Sequence, residues 1–299
     1  MKVFVTGASG FIGSAVVKDL IAGGHQVLGL ARSTAVAEKL TASGAEVYYG
    51  DLTDPESLTS AVLATDAVIH LGFIHDFTRF KEMCALDEKV IETIGAALAG
   101  TQKPFVITSA IGVISKEGII TEQDRAENSL NPRIATEKAA DRIAAQGIRV
   151  AIVRLSPVVH DRGDVHGFIP TLIRLAKEKE VSAYINDGAN VWPAVHRLDV
   201  AQLYRLVLEK NTENGARYHA VAEQGVKVKE IAEVIAEKLN LPAVSVKSEE
   251  AESHFTLFTH FARFNVLASG DVTQRALDWH PGHPTLQEDL EGTVYFTSK

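Results

Sequence analysis

Thr6-Gly7-Ala8-Ser9-Gly10-Phe11-Ile12-Gly13 follows a short apolar run at the amino terminus and precedes a segment with helical periodicity. This order predicts a buried parallel strand, a tight turn and a helix. In such a turn Gly7 permits the bend, Gly10 lets the backbone approach a pyrophosphate, and Gly13 lets the helix pack closely on the strand. The helix N-terminus adds free N–H groups and a positive dipole end. We therefore expect a dinucleotide site, the alternative being an ordinary strand-to-helix turn.

The composition is that of a soluble globular protein, with 46% hydrophobic and 23% charged residues among 299. Thirty basic and 38 acidic residues give a net charge of -8 without a basic stripe, which disfavours a nucleic-acid partner. Cys84 is the only cysteine, so an intrachain disulfide and a cysteine metal site are excluded. No stretch resembles a signal peptide or a membrane span, so we expect a cytoplasmic protein without a membrane partner.

The second predicted strand, residues 25–31, ends in Arg32 and Ser33. At this position a carboxylate bonds the ribose 2′-hydroxyl of NAD, whereas a nearby arginine accommodates the 2′-phosphate of NADP. The nearest acids, Asp19 and Glu38, lie within predicted helices. The strand end therefore favours NADP(H) over NAD(H), the alternative being that Arg32 is only a surface charge.

The third and fourth predicted strands end in residues that suit a cofactor crevice. Asp51 and Leu52 follow the third strand, and the Asp51 carboxylate is placed to accept from an adenine amino group. The alternative is that Asp51 forms an Asx turn or a helix N-cap, and such a local role is compatible with the adenine contact. Leu71 and Gly72 follow the fourth strand, where Gly72 lets the loop pass close to the cofactor.

Strands alternate with helices through six units, which predicts an α/β fold with a Rossmann-type doubly wound parallel sheet. We assign residues 1–157 to an NADP-binding Rossmann domain and residues 158–299 to a smaller, interleaved substrate-binding lobe. Loops are expected at residues 159–167 and 184–195. The predicted elements after residue 157 are helices at 168–179, 198–209, 227–239 and 286–292 and short strands at 217–221 and 243–246.

These motifs, with Val195-His196-Arg197-Leu198-Asp199 and Leu277-Asp278-Trp279-His280-Pro281, resemble the extended branch of the short-chain dehydrogenase/reductase superfamily. That branch contains NAD(P)-dependent epimerases, dehydratases and reductases similar to 3-beta-hydroxysteroid dehydrogenases. The resemblance implies a two-fold homodimer through the fourth and fifth helices. The expected cofactor contacts are Gly7, Ala8, Ser9, Gly10, Phe11, Ile12, Gly13, Arg32, Ser33, Asp51, Leu52, Leu71, Gly72, Thr108, Lys138, Pro157 and Val159.

Catalysis in the family that the chain resembles uses Ser or Thr, Tyr and Lys, with the last two spaced Tyr-x-x-x-Lys. Lys138 resembles the lysine, but Ile134 stands four residues earlier and cannot donate a proton. The hydroxyl position falls at Ala110 or Ile111, although Ser109 is adjacent. The chain therefore resembles atypical members, and an acid from another loop is needed to protonate the product. The catalytic candidates are Lys138, Ser109, His75, His160, His166 and Tyr184.

The expected function is an NADP(H)-dependent oxidoreductase that acts on a small carbonyl or hydroxyl compound. A non-catalytic NADP(H) sensor or regulator is one alternative, and an epimerase or dehydratase that retains its nucleotide is another. A metal site in residues 160–166 is disfavoured, because loop spacing alone is unspecific. The expected substrate contacts are Phe73, His166, Phe168, Tyr184, Trp192 and His196.

Overall fold

The computed structural model describes residues 1–127, 129–210 and 213–296. Its strands are β1 (Lys2–Thr6), β2 (Gln26–Ala31), β3 (Glu46–Tyr49), β4 (Ala67–His70), β5 (Phe105–Ala110), β6 (Ile119–Ile120), β7 (Val150–Leu155), β8 (Val158–His160), β9 (Ser182–Ile185), β10 (Val191–His196), β11 (Ala216–Ala220), β12 (Glu223–Lys227), β13 (Ala243–Val246) and β14 (Leu267–Ala268). Its helices are α1 (Phe11–Ala22), α2 (Thr34–Ala42), α3 (Thr59–Leu63), α4 (Phe80–Leu98), α5 (Ile134–Ala145), α6 (Phe168–Lys179), α7 (Arg197–Glu209), α8 (Val228–Leu239), α9 (Ala251–Phe255), α10 (Thr259–Ala262), α11 (Asp271–Leu277) and α12 (Leu286–Glu291).

Seven parallel strands form the central sheet, in the order β11-β7-β5-β4-β1-β2-β3. The predicted Rossmann-type fold is therefore confirmed. Strand β1 lies at the point where the chain changes direction across the sheet, with β2 on one side and β4 on the other. In such sheets ligands bind outside the carboxyl ends of the strands at this switch point. The loops after β1, β4 and β5 thus border the candidate crevice.

Helices cover both faces of this sheet. Val3 and Val5 of β1 pack in the apolar cluster that includes residues of α1 and α7, whereas Phe4 packs with residues of α4 and α5. Successive side chains of a strand point to opposite faces, so one strand serves both cores. The position of α5 against α4 matters most for the site, because it fixes which α5 side chains face inward.

The second half of the chain departs from the prediction in two places. Segments expected to be loops contain β8, β9 and β10, because β8 pairs with β10 and β9 pairs with β13, partners that are distant in sequence. Strand β11 joins the central sheet beside β7, and α7 packs on α1. The chain after residue 158 thus returns to the Rossmann sheet, and the division at residue 157 stays a prediction.

Across the described residues, none of the helices combines the length and the apolar character needed for a membrane crossing.

Candidate functional site at the carboxyl edge of the sheet

The glycine turn after β1 is built by close backbone contacts. Gly7 has φ +67°, and a Cβ atom on it would lie 2.7 Å from the amide nitrogen of Gly72. A Cβ atom on Gly13 would lie 2.0 Å from the Gly7 carbonyl oxygen. Both distances are far below van der Waals contact, so only glycine fits. The predicted bend at Gly7 and the close packing at Gly13 are confirmed.

The N-terminus of α1 opens toward this turn. Gly10 is its N-cap and provides no side chain, while the Gly10 amide donates to the Gly7 carbonyl at 3.0 Å. The first amide that donates within the helix is that of Ser14, to the Gly10 carbonyl at 2.9 Å. The amides of Phe11, Ile12 and Gly13 thus have no intrahelical acceptor. A glycine cradle with free amides fits the pyrophosphate of a dinucleotide. Ala8 is 1% exposed, so its expected cofactor contact stays a prediction.

The ends of β2 and β3 carry the residues expected near the adenosine. Arg32 and Ser33 are exposed, and the Ser33 hydroxyl accepts from the Val36 amide at 3.4 Å as the N-cap of α2. The Asp51 carboxylate accepts from the amide and the hydroxyl of Thr53 at 2.8 and 2.9 Å. The expected Asx turn at Asp51 is confirmed. Asp51 is not a helix N-cap, since Asp54 precedes the 3₁₀ turn at Pro55–Leu58.

A chain of buried polar groups connects the glycine turn to α4. The Thr6 hydroxyl accepts from the Gly72 amide at 3.1 Å and lies 2.7 Å from Nδ1 of His70. His70 Nε2 lies 3.1 Å from Asp87 Oδ1. Because the Thr6 oxygen already accepts from Gly72, its proton is free for His70 Nδ1, which leaves the imidazole proton on Nε2 facing Asp87. Sequence reasoning did not indicate His70 or Asp87 as site residues.

Asp87 also holds two side chains of the α5 region. Arg133 Nη1 lies 2.9 Å from Asp87 Oδ2, and the Thr136 hydroxyl donates to the same oxygen at 2.6 Å. Burial raises the pKa of the Asp87 carboxyl, but the charge of Arg133 and the hydrogen bond from His70 outweigh burial and lower the pKa below its ordinary value. Asp87 is therefore a carboxylate at neutral pH.

Arg133 stands beside the ends of β4 and β5. Its guanidinium carbon lies 3.8 Å from the centre of the Phe73 ring, and its Nη2 donates to the Thr108 carbonyl at 3.3 Å. Burial, then the charge of Arg133 and more weakly that of His166, lower the pKa of His75. His75 is consequently a neutral imidazole at neutral pH. The structure thus brings Phe73 and His75 beside an arginine that the sequence did not indicate, and His166 is linked to them only through its charge on His75.

The expected placement of Lys138 is wrong. Lys138 is exposed on the side of α5 that also carries Asp141 and Arg142, while the buried side carries Thr136 and Glu137. The cause is the helical register, because a residue one position from the buried stripe is rotated by about 100°. Lys138 therefore does not face the crevice.

Ile134 also lies off the crevice, packed against the apolar cluster that includes Ile111. The residues one turn apart that do reach the interior from this helix start are Arg133 and Glu137. The Tyr-x-x-x-Lys spacing was placed on Ile134 and Lys138. Placed one residue earlier, the same spacing falls on Arg133 and Glu137.

Glu137 lies in a second buried network. It receives two hydrogen bonds from Arg154, each at 2.9 Å, and one from Arg217 at 3.0 Å. Burial raises the pKa of Glu137, but the hydrogen bonds and charge of Arg154 and the charge of Arg217 lower it to about 2. Ser109 is 2% exposed and helps to lower the pKa of Glu137, although its hydroxyl makes no hydrogen bond of good geometry within the described residues. Ser109 therefore faces this network, which corrects its expected catalytic position.

The side chain of Thr108, next to Ser109, points away from Glu137, as expected for successive residues of a strand. Its hydroxyl donates to the His70 carbonyl at 2.7 Å and lies 2.6 Å from the Tyr204 hydroxyl. The Thr108 side chain is thus engaged inside the protein. Burial raises the pKa of Tyr204 far above its ordinary value, so Tyr204 stays protonated.

Two predicted histidines have structural partners. His160 has no exposed surface, and its Nδ1 lies 2.7 Å from Asp289 Oδ2. His196 accepts from the Leu198 amide at 3.2 Å and so caps α7. The expected catalytic role of His160 and the expected substrate contact of His196 are therefore wrong, because neither ring is open to the crevice.

Two predicted aromatic residues are also placed elsewhere. Trp192 is fully buried and donates from Nε1 to the Phe264 carbonyl at 3.2 Å. Tyr184 packs against Lys229, whose Nζ lies 5.6 Å from the ring centre. Trp192 thus supports the wall of the crevice from behind, and Tyr184 belongs to the small sheet of β9 and β13.

His196, Asp199 and His283 have ligand atoms within 4.8 Å of one another, a spacing that suits a metal ion. The protonation states do not suit it. Because Leu198 N–H donates to His196 Nδ1, the proton of the neutral ring sits on Nε2. Asp199 already accepts from the amides of Gly282 and His283 and lies 2.7 Å from His283 Nδ1. This cluster joins the carboxyl-terminal segment to α7 without a cation.

A line of aromatic rings borders the crevice from the β4–α4 loop to α6. Phe73 and Phe77 both contact Phe80, with centroids 6.1 and 5.9 Å apart. Phe77 reaches Phe261 at 6.0 Å, and Phe261 reaches Phe168 at 5.1 Å. Phe73 and Phe168, both predicted as substrate contacts, therefore belong to one continuous aromatic wall.

A family model described as the NAD dependent epimerase/dehydratase family matches residues 3–221. The chain belongs to that family. It is thus a member of the extended short-chain dehydrogenases and reductases. Its fold is similar to that of MoeE5, which was solved in complex with UDP-glucose and NAD. That structure has a TM-score of 0.76 and 23% identity and covers 99% of this chain and 98% of MoeE5.

Of two relatives with similar sequences, one is named as uncharacterized and the other is named for a reductase activity. "Uncharacterized protein C2A9.02" of Schizosaccharomyces pombe is 47% identical over 99% of this chain and 100% of its own length. The "2-alkyl-3-oxoalkanoate reductase" of Stenotrophomonas maltophilia is 30% identical over 64% of this chain and 60% of its own length. The family relationship supports pyridine-nucleotide binding and an enzymatic activity.

Proposed function

We propose that this epimerase/dehydratase family member is an NADP(H)-dependent oxidoreductase for a small carbonyl or hydroxyl compound. One observation carries the proposal: the glycine cradle opens onto the same sheet edge as Arg133, Phe73 and His75. A bound nicotinamide would supply or accept a hydride there. The name of the Stenotrophomonas relative, a reductase of an oxo compound, supports the direction toward carbonyl chemistry.

The exposed end of β2 supports NADP(H) over NAD(H). Arg32 makes no ion pair within the described residues, so its guanidinium is free for a 2′-phosphate, and Ser33 stands next to it. The pyrophosphate would lie on the amides of Phe11, Ile12 and Gly13. Further contacts of the proposed cofactor site come from Asp51, Leu52, Leu71, Gly72, Pro157 and Val159, all at or after strand ends.

Calorimetry tests the cofactor assignment. The wild-type protein should bind NADPH more tightly than NADH, and Arg32→Ala should lower NADPH affinity roughly tenfold while leaving NADH affinity unchanged, since one charged contact is lost. Gly13→Ala should abolish binding of both, because its methyl group collides with the turn. Equal affinity of the wild type for both nucleotides would contradict the NADP(H) assignment.

The absorbance of NADPH with a panel of carbonyl compounds tests the activity. Consumption of NADPH with at least one compound supports the oxidoreductase. A sensor is the second candidate, favoured by Ala110 and Ile134, which lack the hydroxyl groups of the usual donors. Tight NADPH binding without turnover on any compound would favour the sensor. Nucleotide that survives dialysis would instead favour an epimerase or dehydratase.

A homodimer through α4 and α5 remains part of the proposal. Arg142 of α5 pairs with Glu92 of α4 at 2.7 Å and with Glu88, and all three are partly exposed. These two packed helices present one continuous outer face. A monomer mass that does not change with concentration would refute the dimer.

A further inference from the structure

The guanidinium of Arg133 is only partly used by the protein. A guanidinium has five N–H donors. Within the described part of the chain, Arg133 makes one hydrogen bond, to the Thr108 carbonyl, and one ion pair, to Asp87. Nη1 is buried and lies 2.9 Å from Asp87 Oδ2 without a well-aligned hydrogen bond, and the remaining N–H groups have no acceptor among these residues. Buried donors are normally paired, so the unused ones call for a partner that the protein itself does not supply.

The direction of this arginine is fixed. Asp87 holds one end of the guanidinium, Thr108 holds the other, and the ring of Phe73 lies against its face. Asp87 is in turn held by His70 and Thr136. Donors held in place before the reaction stabilise a developing charge without reorganisation. An arginine that only filled space would not need three groups around it and two more that hold Asp87.

We propose that Arg133 stabilises the substrate oxygen as a carbonyl is reduced, and that the substrate is an uncharged aromatic or conjugated carbonyl compound. This inference rests on the oxidoreductase proposed above. With NADPH bound as proposed, the carbonyl carbon would receive a hydride from the nicotinamide C–H bond, which leaves NADP⁺. The electrons of the C=O π bond move to the oxygen, and the resulting alkoxide takes a proton from water, which leaves hydroxide. Arg133 holds the negative oxygen but does not protonate it, because a guanidinium keeps its proton at any ordinary pH.

The surroundings of Arg133 indicate the substrate class. Its charge is already balanced by Asp87, so a carboxylate or phosphate on the substrate is not needed for neutrality. The wall that extends from Phe73 through Phe77 to Phe261 consists of aromatic rings. Aromatic faces and edges bind flat apolar molecules, and a single polar group then sets the orientation. A neutral conjugated carbonyl meets both conditions.

Binding of p-dimethylaminocinnamaldehyde in the presence of NADP⁺ tests the inference without hydride transfer. The absorption band of this aldehyde moves to longer wavelength when its carbonyl oxygen is polarised. The wild-type protein with NADP⁺ should shift the band. Arg133→Met should abolish the shift, whereas Lys138→Met, on the exposed side of the same helix, should keep it. Calorimetry should give the same NADP⁺ affinity for all three proteins.

A second variant covers the case in which Arg133→Met fails to fold because Asp87 loses its counter-charge. The double variant Arg133→Met/Asp87→Asn removes both charges, and it too should lose the shift. A shift that persists in either folded variant, or a wild type that binds NADP⁺ without shifting the band, would overturn the inference. Failure of the wild type to bind NADP⁺ would instead overturn the proposed function, so the two failures are distinguishable.

The pH dependence of turnover gives an independent readout. If Arg133 holds the oxygen, NADPH oxidation with an aromatic aldehyde should not fall as the pH rises from acidic to neutral values, the range in which His75, with its lowered pKa, loses its proton. Arg133→Met should lower the rate roughly 10² to 10³-fold, as loss of a preorganised donor does. A rate that falls as the pH rises through the titration of a histidine, and that loses this dependence in His75→Gln, would assign the role to His75 and contradict the proposal.

Discussion

Two buried carboxylate and arginine clusters lie one turn apart at the start of α5. In the first, which we name the crevice cluster, Asp87 pairs with Arg133 at the edge of the sheet. In the second, the interior cluster, Glu137 pairs with Arg154 and Arg217 beneath the helix. Both contain a carboxylate less than 5% exposed. They differ in whether their arginines are fully used.

The interior cluster is closed. Arg154 donates through Nε and Nη2 to Glu137 and through Nη1 to the Asp124 carbonyl. Arg217 donates to Glu137, Asp141 and the Gly215 carbonyl. Arg133 of the crevice cluster has only one hydrogen bond and one ion pair within the described residues. The comparison teaches that a saturated buried network stabilises the fold, while an unsaturated one at a crevice is where a ligand is expected.

Glu137→Gln should have the largest effect on stability. The substitution leaves Arg154 and Arg217 buried without their shared counter-charge, and breaking a buried pair costs about 3 to 5 kcal/mol. Chemical denaturation should show this loss in the free energy of unfolding. Asp141→Asn is the matched control, because Asp141 is 58% exposed and should cost less than about 1 kcal/mol. An unchanged unfolding midpoint for Glu137→Gln would show that the interior cluster is not a stabilising unit.

The pH dependence of the free energy of unfolding should reveal the contribution of the interior cluster. The pKa of Glu137 is lowered from 4.5 to about 2, so its contribution is complete above about pH 4.5 and is lost as the pH falls toward 2. The loss is about 3 kcal/mol over that window. Denaturation at a series of acidic pH values should show a steeper decline for the wild type than for Glu137→Gln. Parallel curves would contradict the assignment.

Asp87→Asn should affect the crevice cluster in activity more than in stability. Asparagine still accepts from Thr136 but no longer neutralises Arg133, so we expect about 1 to 3 kcal/mol of destabilisation. The guanidinium also loses its fixed direction, which should lower NADPH oxidation roughly 10 to 100-fold, while NADP⁺ affinity stays unchanged by calorimetry. A variant with wild-type turnover would show that Asp87 does not position Arg133.

Lys138→Met should have the smallest effect. Its side chain is exposed on the outer side of α5, so the free energy of unfolding should change by less than about 0.5 kcal/mol. NADPH affinity by calorimetry and the rate of NADPH oxidation should both stay at the wild-type level. A large loss of cofactor affinity would restore the lysine to the crevice and weaken the comparison between the two clusters.

The sequence alone determined the elements whose geometry is local. The order of apolar strand, glycines and amphipathic helix is sufficient to predict β1, the bend at Gly7 and the packing at Gly13, because neighbouring residues impose these conformations. The alternation of strands and helices predicted the parallel sheet for the same reason. Strands β8, β9 and β10 were missed, since each pairs with a segment far away along the chain.

Only the tertiary structure decided which side chains of α5 turn inward. Helical periodicity shows that α5 has a buried stripe, but packing against α4 and the sheet chooses Arg133 and Glu137 rather than Ile134 and Lys138. Burial likewise decided that His160 is structural while His75 stays at the site. These outcomes depend on contacts between residues that are remote in sequence. Local spacing carries no information about such contacts, and this is why the sequence predicted the glycine turn but not the arginine that we propose as catalytic.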